Sequence, residues 1–217
     1  MIKENIKISL DDIMILHGTD KSSICHGYSK PYEKYFESFR DNEITLLELG
    51  VGGENTQLGG ASLKSWKHYF QNGKIFGIDI YDKKELDSDR LITFKGSQID
   101  EVFLKNVINN IGSPDIIIDD ASHINPYTIK SFQILFPLLK QGGLYIIEDL
   151  SCSYRNGFEG NANLQDIKPN TIMNYLFKML HNIQEVFLAI PNFKQDSDFV
   201  GIEFVHFYKD IVFIKKK

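Results

Sequence analysis

Cysteine is nearly absent from this chain: Cys25 and Cys152 are the only two among 217 residues. Two lone thiols give neither a disulfide framework nor a Cys-x-x-Cys metal pair, and a reducing cytoplasm is the expected location. Long apolar runs are missing as well. The amino terminus, Met1-Ile-Lys-Glu-Asn-Ile-Lys7, has no apolar core of signal-peptide length, and the longest apolar stretches are strand-sized, so a soluble, unexported protein without a membrane partner is expected. Positive charge is not in excess, with 24 Lys and Arg against 29 Asp and Glu and a net charge of −5. A phosphate-binding surface needs clustered Lys and Arg, so nucleic acid is not an expected partner, and Lys215 to Lys217 read as a solvated tail. Low-complexity tracts, internal repeats and linkers are lacking too. With 42% apolar and 12% aromatic residues, the chain reads as one folded domain over 1–217, residues 1–40 forming an N-terminal helical cap segment.

What is present is an alternation of apolar runs and helical periods. Residues 45–50 form a first strand stopping at glycines, and Ser62 to Phe70 reads as a helix with Ser62 as its N-cap. Lys74 to Ile80 and Leu91 to Lys95 give the next strands, and Ile99 to Ile111 a helix. Residues 115–119 feed a helix over Pro126 to Lys140, which Gln141-Gly-Gly stops before a strand at 144–148. Such alternation predicts an α/β fold with a parallel sheet and right-handed crossovers. The segment 151–170 is rich in Asn, Gly and Ser and reads as a functional loop shaping an acceptor site. A helix at Thr171 to Ile183 follows, and Asp198 to Phe207 with Ile211 to Lys215 closes the chain as an antiparallel hairpin.

Two of these strands end in acid. Asp119 and Asp120 follow Ile116-Ile-Ile, with His123 just beyond, and Glu148 and Asp149 follow Leu144-Tyr-Ile-Ile. Unalternating apolar runs are strands buried on both faces, and their carboxyl ends border the crevice where open α/β sheets bind ligands. Carboxylates crowded there repel one another unless a cation neutralises them, which points to a hard divalent metal with a histidine beside it. Adjacent strand residues face opposite ways, so only one of Asp119 and Asp120 should reach that ion.

The first strand runs into Glu48-Leu-Gly50-Val-Gly52-Gly53, a turn whose glycines let the backbone approach a ligand. A dinucleotide fingerprint would need glycine at position 55, which is Asn55. Asp79, ending the second strand, is placed to accept hydrogen bonds from a ribose diol. Together these features fit an adenosine-type ligand without a pyrophosphate.

A parallel sheet finished by an antiparallel hairpin, with this turn, resembles the Rossmann-like class I S-adenosylmethionine-dependent methyltransferase fold, which implies a seven-stranded sheet of order 3-2-1-4-5-7-6. Glu54 stands where that family often has a third glycine. A closer resemblance is to the metal-dependent sugar O-methyltransferases of mycinamicin-type macrolides and tetracenomycin-type glycosides. It is carried by His17-Gly-Thr-Asp-Lys21 with His26-Gly-Tyr28, Gly59-Gly-Ala-Ser-Leu-Lys-Ser-Trp66, Gly77-Ile-Asp79-Ile, Gly96-Ser-Gln98, Asp119-Asp-Ala-Ser-His-Ile-Asn125 and Gly143-Leu-Tyr-Ile-Ile-Glu-Asp149.

That resemblance implies Asp120, Glu148 and Asp149 as ligands of Mg²⁺ or another hard divalent cation, and His123 as general base. S-adenosylmethionine is the implied cofactor, with Glu48, Gly50, Gly52, Ser62, Asp79, Ser97, Gln98 and Asp120 as its surroundings: Asp79 on the ribose, Gln98 by the adenine, the glycine turn around the methionine part. Ser97 stands where relatives more often have aspartate. His17, Lys21, His26 and Tyr28 are candidates for the mouth of the site, whereas Trp66 reads as core. The implied activity is methylation of a sugar hydroxyl on a nucleotide sugar, a glycan or a glycosylated natural product, by a homo-oligomer. Two alternatives are a catechol-type O-methyltransferase and a methyltransferase-like domain retained for binding alone.

Overall fold

The computed structural model describes residues 7–53, 57–162, 168–188 and 196–217. Seven strands, β1 (Thr45–Leu49), β2 (Lys74–Asp79), β3 (Leu91–Lys95), β4 (Ile116–Asp119), β5 (Leu144–Ile147), β6 (Ile202–Tyr208) and β7 (Ile211–Lys216), form one sheet of order β3-β2-β1-β4-β5-β7-β6. The first five pair in parallel, and β7 is antiparallel to both β5 and β6. This is the class I methyltransferase order expected above.

The unalternating runs divide between two cores because successive side chains leave opposite faces of the sheet. Leu47, Leu49, Ile117, Tyr145 and Ile147 pack with Leu104 of α4 (Glu101–Ile111), Phe132 of α5 (Asn125–Leu135) and Leu176 of α6 (Ile172–Leu188). Leu46, Ile116, Ile118 and Ile146 pack on the other face with Leu10 of α1 (Leu10–His17), Tyr32 and Phe36 of α2 (Ser29–Phe36), and Trp66 of α3 (Ala61–Tyr69). The amino-terminal helices thus cover one sheet face and reach the crevice from that side.

Several boundaries differ from the expected ones for local reasons. Helix α3 starts at Ala61 with left-handed Gly60 as N-cap; Ser62 lies inside the first turn, its hydroxyl donating to Glu48 Oε2 at 3.1 Å. Helix α4 starts at Glu101 because the Asp100 side chain accepts from Phe103 N–H, an N-cap bond. Helix α5 gives way after Leu135 to a 3-10 turn, Phe136–Leu138, where Pro137 has no N–H to continue the ladder. The hairpin is shorter than expected: residues 197–199 form a 3-10 turn, and Lys209-Asp210, with Asp210 at φ 66°, joins β6 to β7.

The 151–170 segment is not an open loop over its described part. It folds into 3-10 turns Leu150–Tyr154 and Asn156–Phe158 around Asn125, which is fully buried. The Asn125 amide donates to the carbonyls of Cys152 (3.2 Å) and Phe158 (2.7 Å), and its oxygen accepts from Ser153 Oγ (3.0 Å) and Ile172 N (2.7 Å). One side chain therefore ties the start of α5, both turns and the start of α6 together.

Candidate active site

At the carboxyl ends of β1, β2, β4 and β5 lies a cavity of about 500 Å³ whose wall includes Gly50, Asp79, Gln98, Asp120, His123 and Asp149. A smaller one of about 230 Å³ shares Gly50, Gly52, Gly53 and Asp120 with it and adds Lys21 and Ser62. The β1 turn lies between the two. Gly50 has φ 86°, and a Cβ there would come within 2.1 Å of the Asp120 carbonyl, so only glycine lets β1 and β4 leave the sheet side by side.

Alternation separates the aspartate pair as expected. Asp119 turns inward, buried among Ser131, Tyr145 and Gln98, and burial pushes its carboxyl up to about 6 against hydrogen bonds such as that from Ser131. Asp120 turns to the cavity. Past it the chain bends back, with His123 at φ 56°, and Asp149 after β5 also takes the left-handed conformation at φ 54°. Two non-glycine residues held there mark a backbone fixed by its surroundings rather than by preference.

These bends bring one ligand atom each from Asp120, His123 and Asp149 within 4.8 Å of one another. His123 Nε2 is 3.9 Å from Asp120 Oδ1 and 3.6 Å from Asp149 Oδ2. The two carboxylates, half-buried beside a half-buried imidazole, fit a divalent cation that keeps open positions for other oxygens. The Tyr28 hydroxyl donates to Asp149 Oδ1 at 2.9 Å, burial first and then Asp149 raising its pKa so that it stays a donor. Phe158, from the second 3-10 turn, sets its ring edge-on to His123 at 6.1 Å.

Glu148 stands apart from that group. Its side chain is buried, accepting from the Tyr32 hydroxyl and, at 2.8 Å, from the Lys21 ammonium, which also bonds Asp120 Oδ2. Burial and then neighbouring Asp120 raise the Glu148 carboxyl well above the carboxylate range, with Lys21 opposing. For Lys21, burial alone lowers the pKa, but Asp120, Glu148 and Glu48 together raise it well above the lysine value. A buried ammonium among three carboxylates is thus an internal cation beside the candidate metal position. Of the expected Asp120, Glu148 and Asp149, the structure sets Asp120 and Asp149 beside His123, with Glu148 hydrogen-bonded to Lys21 and Tyr32 next to them.

The expected cofactor residues also sort into two groups. Gly50, Gly52, Asp79, Gln98 and Asp120 line the larger cavity. Asp79 Oδ2 accepts from Val51 N–H at 3.0 Å and Oδ1 from Tyr81 N–H at 2.9 Å, so its carboxylate links the glycine turn to the segment after β2. Glu48 does not reach the cavity: it is fully buried, accepting from Ser62 and, at 2.9 Å, from Trp66 Nε1, with Lys21 3.9 Å away. Burial pushes its carboxyl up to about 7 even though Lys21 pulls it down. Ser62 lines the smaller cavity but spends its hydroxyl on Glu48, and Ser97 accepts from Ile99 N–H rather than joining the wall. Asn55 and Glu54 lie outside the described residues.

Tyr32 and Asn125 act here without having been assigned roles from the sequence, and Lys21, expected at the mouth of the site, is instead buried between Asp120 and Glu148. A buried-site lysine has no local signature; the Gly-Thr-Asp-Lys21 stretch was its only pointer. Tyr32, in α2, is fully buried, so one side chain both packs in the core and donates to Glu148.

No protein-family model matches the chain. Among curated proteins it is 36% identical over 97% of its length to mycinamicin VI 2''-O-methyltransferase of Micromonospora griseorubida. It is also 36% identical over 96% of its length to 8-demethyl-8-alpha-L-rhamnosyl tetracenomycin-C 2'-O-methyltransferase of Streptomyces olivaceus. The matches cover 53% and 54% of those proteins, so the chain spans about half the length of the curated relatives it matches. Among solved structures, MycE methyltransferase from the mycinamycin biosynthetic pathway, in complex with Mg and SAH, superposes with a TM-score of 0.91 at 36% identity, covering 97% of this chain and 54% of that one. An O-methyltransferase from Bacillus cereus in complex with SAH, 12% identical with a TM-score of 0.52 over 99% of this chain and 94% of that one, shares the fold. The chain thus has the class I methyltransferase fold and is a homologue of the sugar O-methyltransferases of the mycinamicin and tetracenomycin type, spanning about half of their length.

Proposed function

We propose that this protein transfers the methyl group of S-adenosylmethionine to a sugar hydroxyl with the help of a divalent cation, Mg²⁺ in the first instance. The observation that carries this reading is the Asp120–His123–Asp149 group on the wall of the same cavity that Gly50, Gly52 and Asp79 line. An adenosyl ligand lying along the glycine turn and Asp79 would present its sulfonium methyl toward that group, and the relatives' names supply the acceptor class.

Asp120 and Asp149 would hold the cation, which when bound lowers the pKa of an acceptor hydroxyl and orients it. His123 removes the hydroxyl proton close to the transition state, and the carboxylates of Asp120 and Asp149 stabilise the imidazolium that results. The alkoxide oxygen then forms its bond to the methyl carbon as the carbon–sulfur bond breaks, leaving a neutral thioether. Tyr28 keeps Asp149 in place throughout, and Lys21 keeps Asp120 and Glu148 from repelling each other. The turns at 150–158 put Phe158 over His123, which supports the 151–170 segment as a wall for the acceptor. Asp79 is assigned the ribose diol and Gln98 the adenine side.

A homo-oligomer working in the cytoplasm on a small sugar-linked acceptor completes the proposal. No described helix is long and apolar enough to cross a membrane, and the net negative charge supports an acceptor other than nucleic acid. The deciding experiment is methyl transfer from labelled S-adenosylmethionine to nucleotide sugars, glycosylated macrolides and catechol, with Mg²⁺ or with excess EDTA. Transfer to a sugar that stops with EDTA and resumes with Mg²⁺ is expected. Undiminished transfer in EDTA would remove the metal from the reading, and methylation of catechol alone would replace the sugar.

A further inference from the structure

Lys83 is a buried lysine that the reaction scheme leaves unused. It is 3% exposed, and no carboxylate accepts from its ammonium in the described structure. Its three hydrogen bonds go instead to backbone carbonyls of one loop: Gly52 at 2.9 Å, Gly53 at 2.8 Å and Gln57 at 2.9 Å. An ammonium has three donors, so its capacity is filled by that loop. One buried side chain thus ties three carbonyls on both sides of the loop to the segment after β2.

The consequence for the loop follows from peptide planarity. All its described peptide bonds are trans, so a carbonyl aimed at Lys83 sends the N–H of the next residue the other way. The Gly53 N–H is therefore turned from Lys83, and Gly52 and Gly53 line both the larger and the smaller cavity. Both have φ 72°, and a Cβ on Gly53 would meet the Gln57 carbonyl at 2.6 Å, so the loop closes tightly on itself at the point Lys83 grips. The chain that supplies Lys83 also carries Asp79, which holds Val51 N–H on the other side of the same turn. An anion on the Val51 N–H and a cation on three carbonyls thus hold the loop's peptide planes from two sides, with the Gly53 N–H turned away from Lys83.

We propose that Lys83 is a positioning residue that presets the glycine loop for the amino-acid end of the cofactor, whose carboxylate takes hydrogen bonds from the loop's N–H groups in the smaller cavity. This rests on the reading of the cavities as an S-adenosylmethionine site. It separates the cofactor into an adenosine half that Lys83 does not affect and an amino-acid half that depends on it.

The test compares S-adenosylhomocysteine with 5′-methylthioadenosine, which keeps the adenosine and thioether but lacks the amino-acid end, by calorimetry or ligand-observed NMR. Lys83→Met should weaken S-adenosylhomocysteine by about tenfold or more and change 5′-methylthioadenosine by less than about twofold. Lys83→Arg, which keeps the charge but cannot aim three donors from one atom, should show the same selective loss at smaller size. Should the Met variant not fold, the Arg variant carries the comparison. An equal loss for both ligands, or no loss for either, overturns the proposal. A wild-type protein that binds neither ligand overturns the cofactor reading instead.

Discussion

His123 Nε2 lies 3.6 Å from Asp149 Oδ2, and both residues sit in the left-handed backbone region, at φ 56° and φ 54°. The two belong to different strand ends, so neither bend produces the other. Each costs on the order of 1 kcal/mol relative to an ordinary conformation, a cost a folded chain tolerates where surroundings over-determine the geometry. Both bends aim side chains at the same point beside Asp120.

His123 is separable into side chain and backbone. His123→Ala and His123→Gly should both lower kcat by roughly 10²–10⁴-fold, the usual contribution of a general base, with Mg²⁺ and S-adenosylhomocysteine affinities within a few-fold of wild type. The glycine variant should be the more stable of the two by about 1 kcal/mol, because alanine retains the left-handed strain. Steady-state kinetics with urea unfolding reads both. A large loss of Mg²⁺ affinity would make His123 a ligand instead of a base.

Among the described residues, Lys21 is the one that pairs with all three of Glu48, Asp120 and Glu148. Lys21→Met leaves three carboxylates without a counterion and should destabilise the protein by about 3–5 kcal/mol, as when one partner of a buried ion pair is removed. A divalent cation should then repair part of the damage, so Mg²⁺ should raise the melting temperature of the variant more than that of wild type. A variant no more responsive to Mg²⁺ than wild type would detach Lys21 from the metal position.

The features legible in the sequence were those with a period or a local chemistry. The isoleucine runs at 116–118 and 146–147 announce strands covered on both faces, and alternation at once separates Asp119 from Asp120. The glycine turn follows from the same reading, whereas the strand order was implied by the family resemblance. What stayed hidden depends on partners far along the chain: Lys21 meets Asp120 and Glu148 across separations of 99 and 127 residues. Glu148 enters as a ligand through the resemblance alone; that its carboxylate also holds Lys21 and Tyr32, apart from the neighbouring Asp149, is legible only in the folded chain. Pro126 reads as a helix start; that the amide of Asn125 just before it organises residues 152 to 172 is visible only once the chain has folded.

Asp79 braces the glycine turn through Val51 N–H and faces the cavity, so loss of S-adenosylhomocysteine affinity in Asp79→Ala, expected at about 1–3 kcal/mol, has two possible origins. The 2′-deoxy analogue separates them in a double-mutant cycle. Wild type should bind the analogue more weakly than S-adenosylhomocysteine, whereas Asp79→Ala should hardly distinguish the two. Equal discrimination by both proteins would leave Asp79 as a loop brace alone.

Glu48 gives a pH dependence with a fixed sign. Burial raises its folded pKa to about 7 from a reference of 4.5, so between these values the native state holds a proton that the unfolded chain has released. Stability from this group is therefore fully present below about pH 4.5 and is lost as pH rises through about 7, by at most about 3 kcal/mol at 1.36 kcal/mol per unit. Glu48→Gln keeps an acceptor for Ser62 and Trp66 but cannot ionise, so its stability should fall less than that of wild type between pH 5 and pH 8. Asp119, raised to about 6, contributes the same sign over a lower window, so the Glu48 effect is the difference in slope between wild type and variant above pH 6. Urea unfolding at intervals of half a pH unit measures it. Parallel slopes there would mean that the Lys21 ammonium already holds Glu48 ionised in the folded protein at pH 6, and the about-7 value would have to be abandoned.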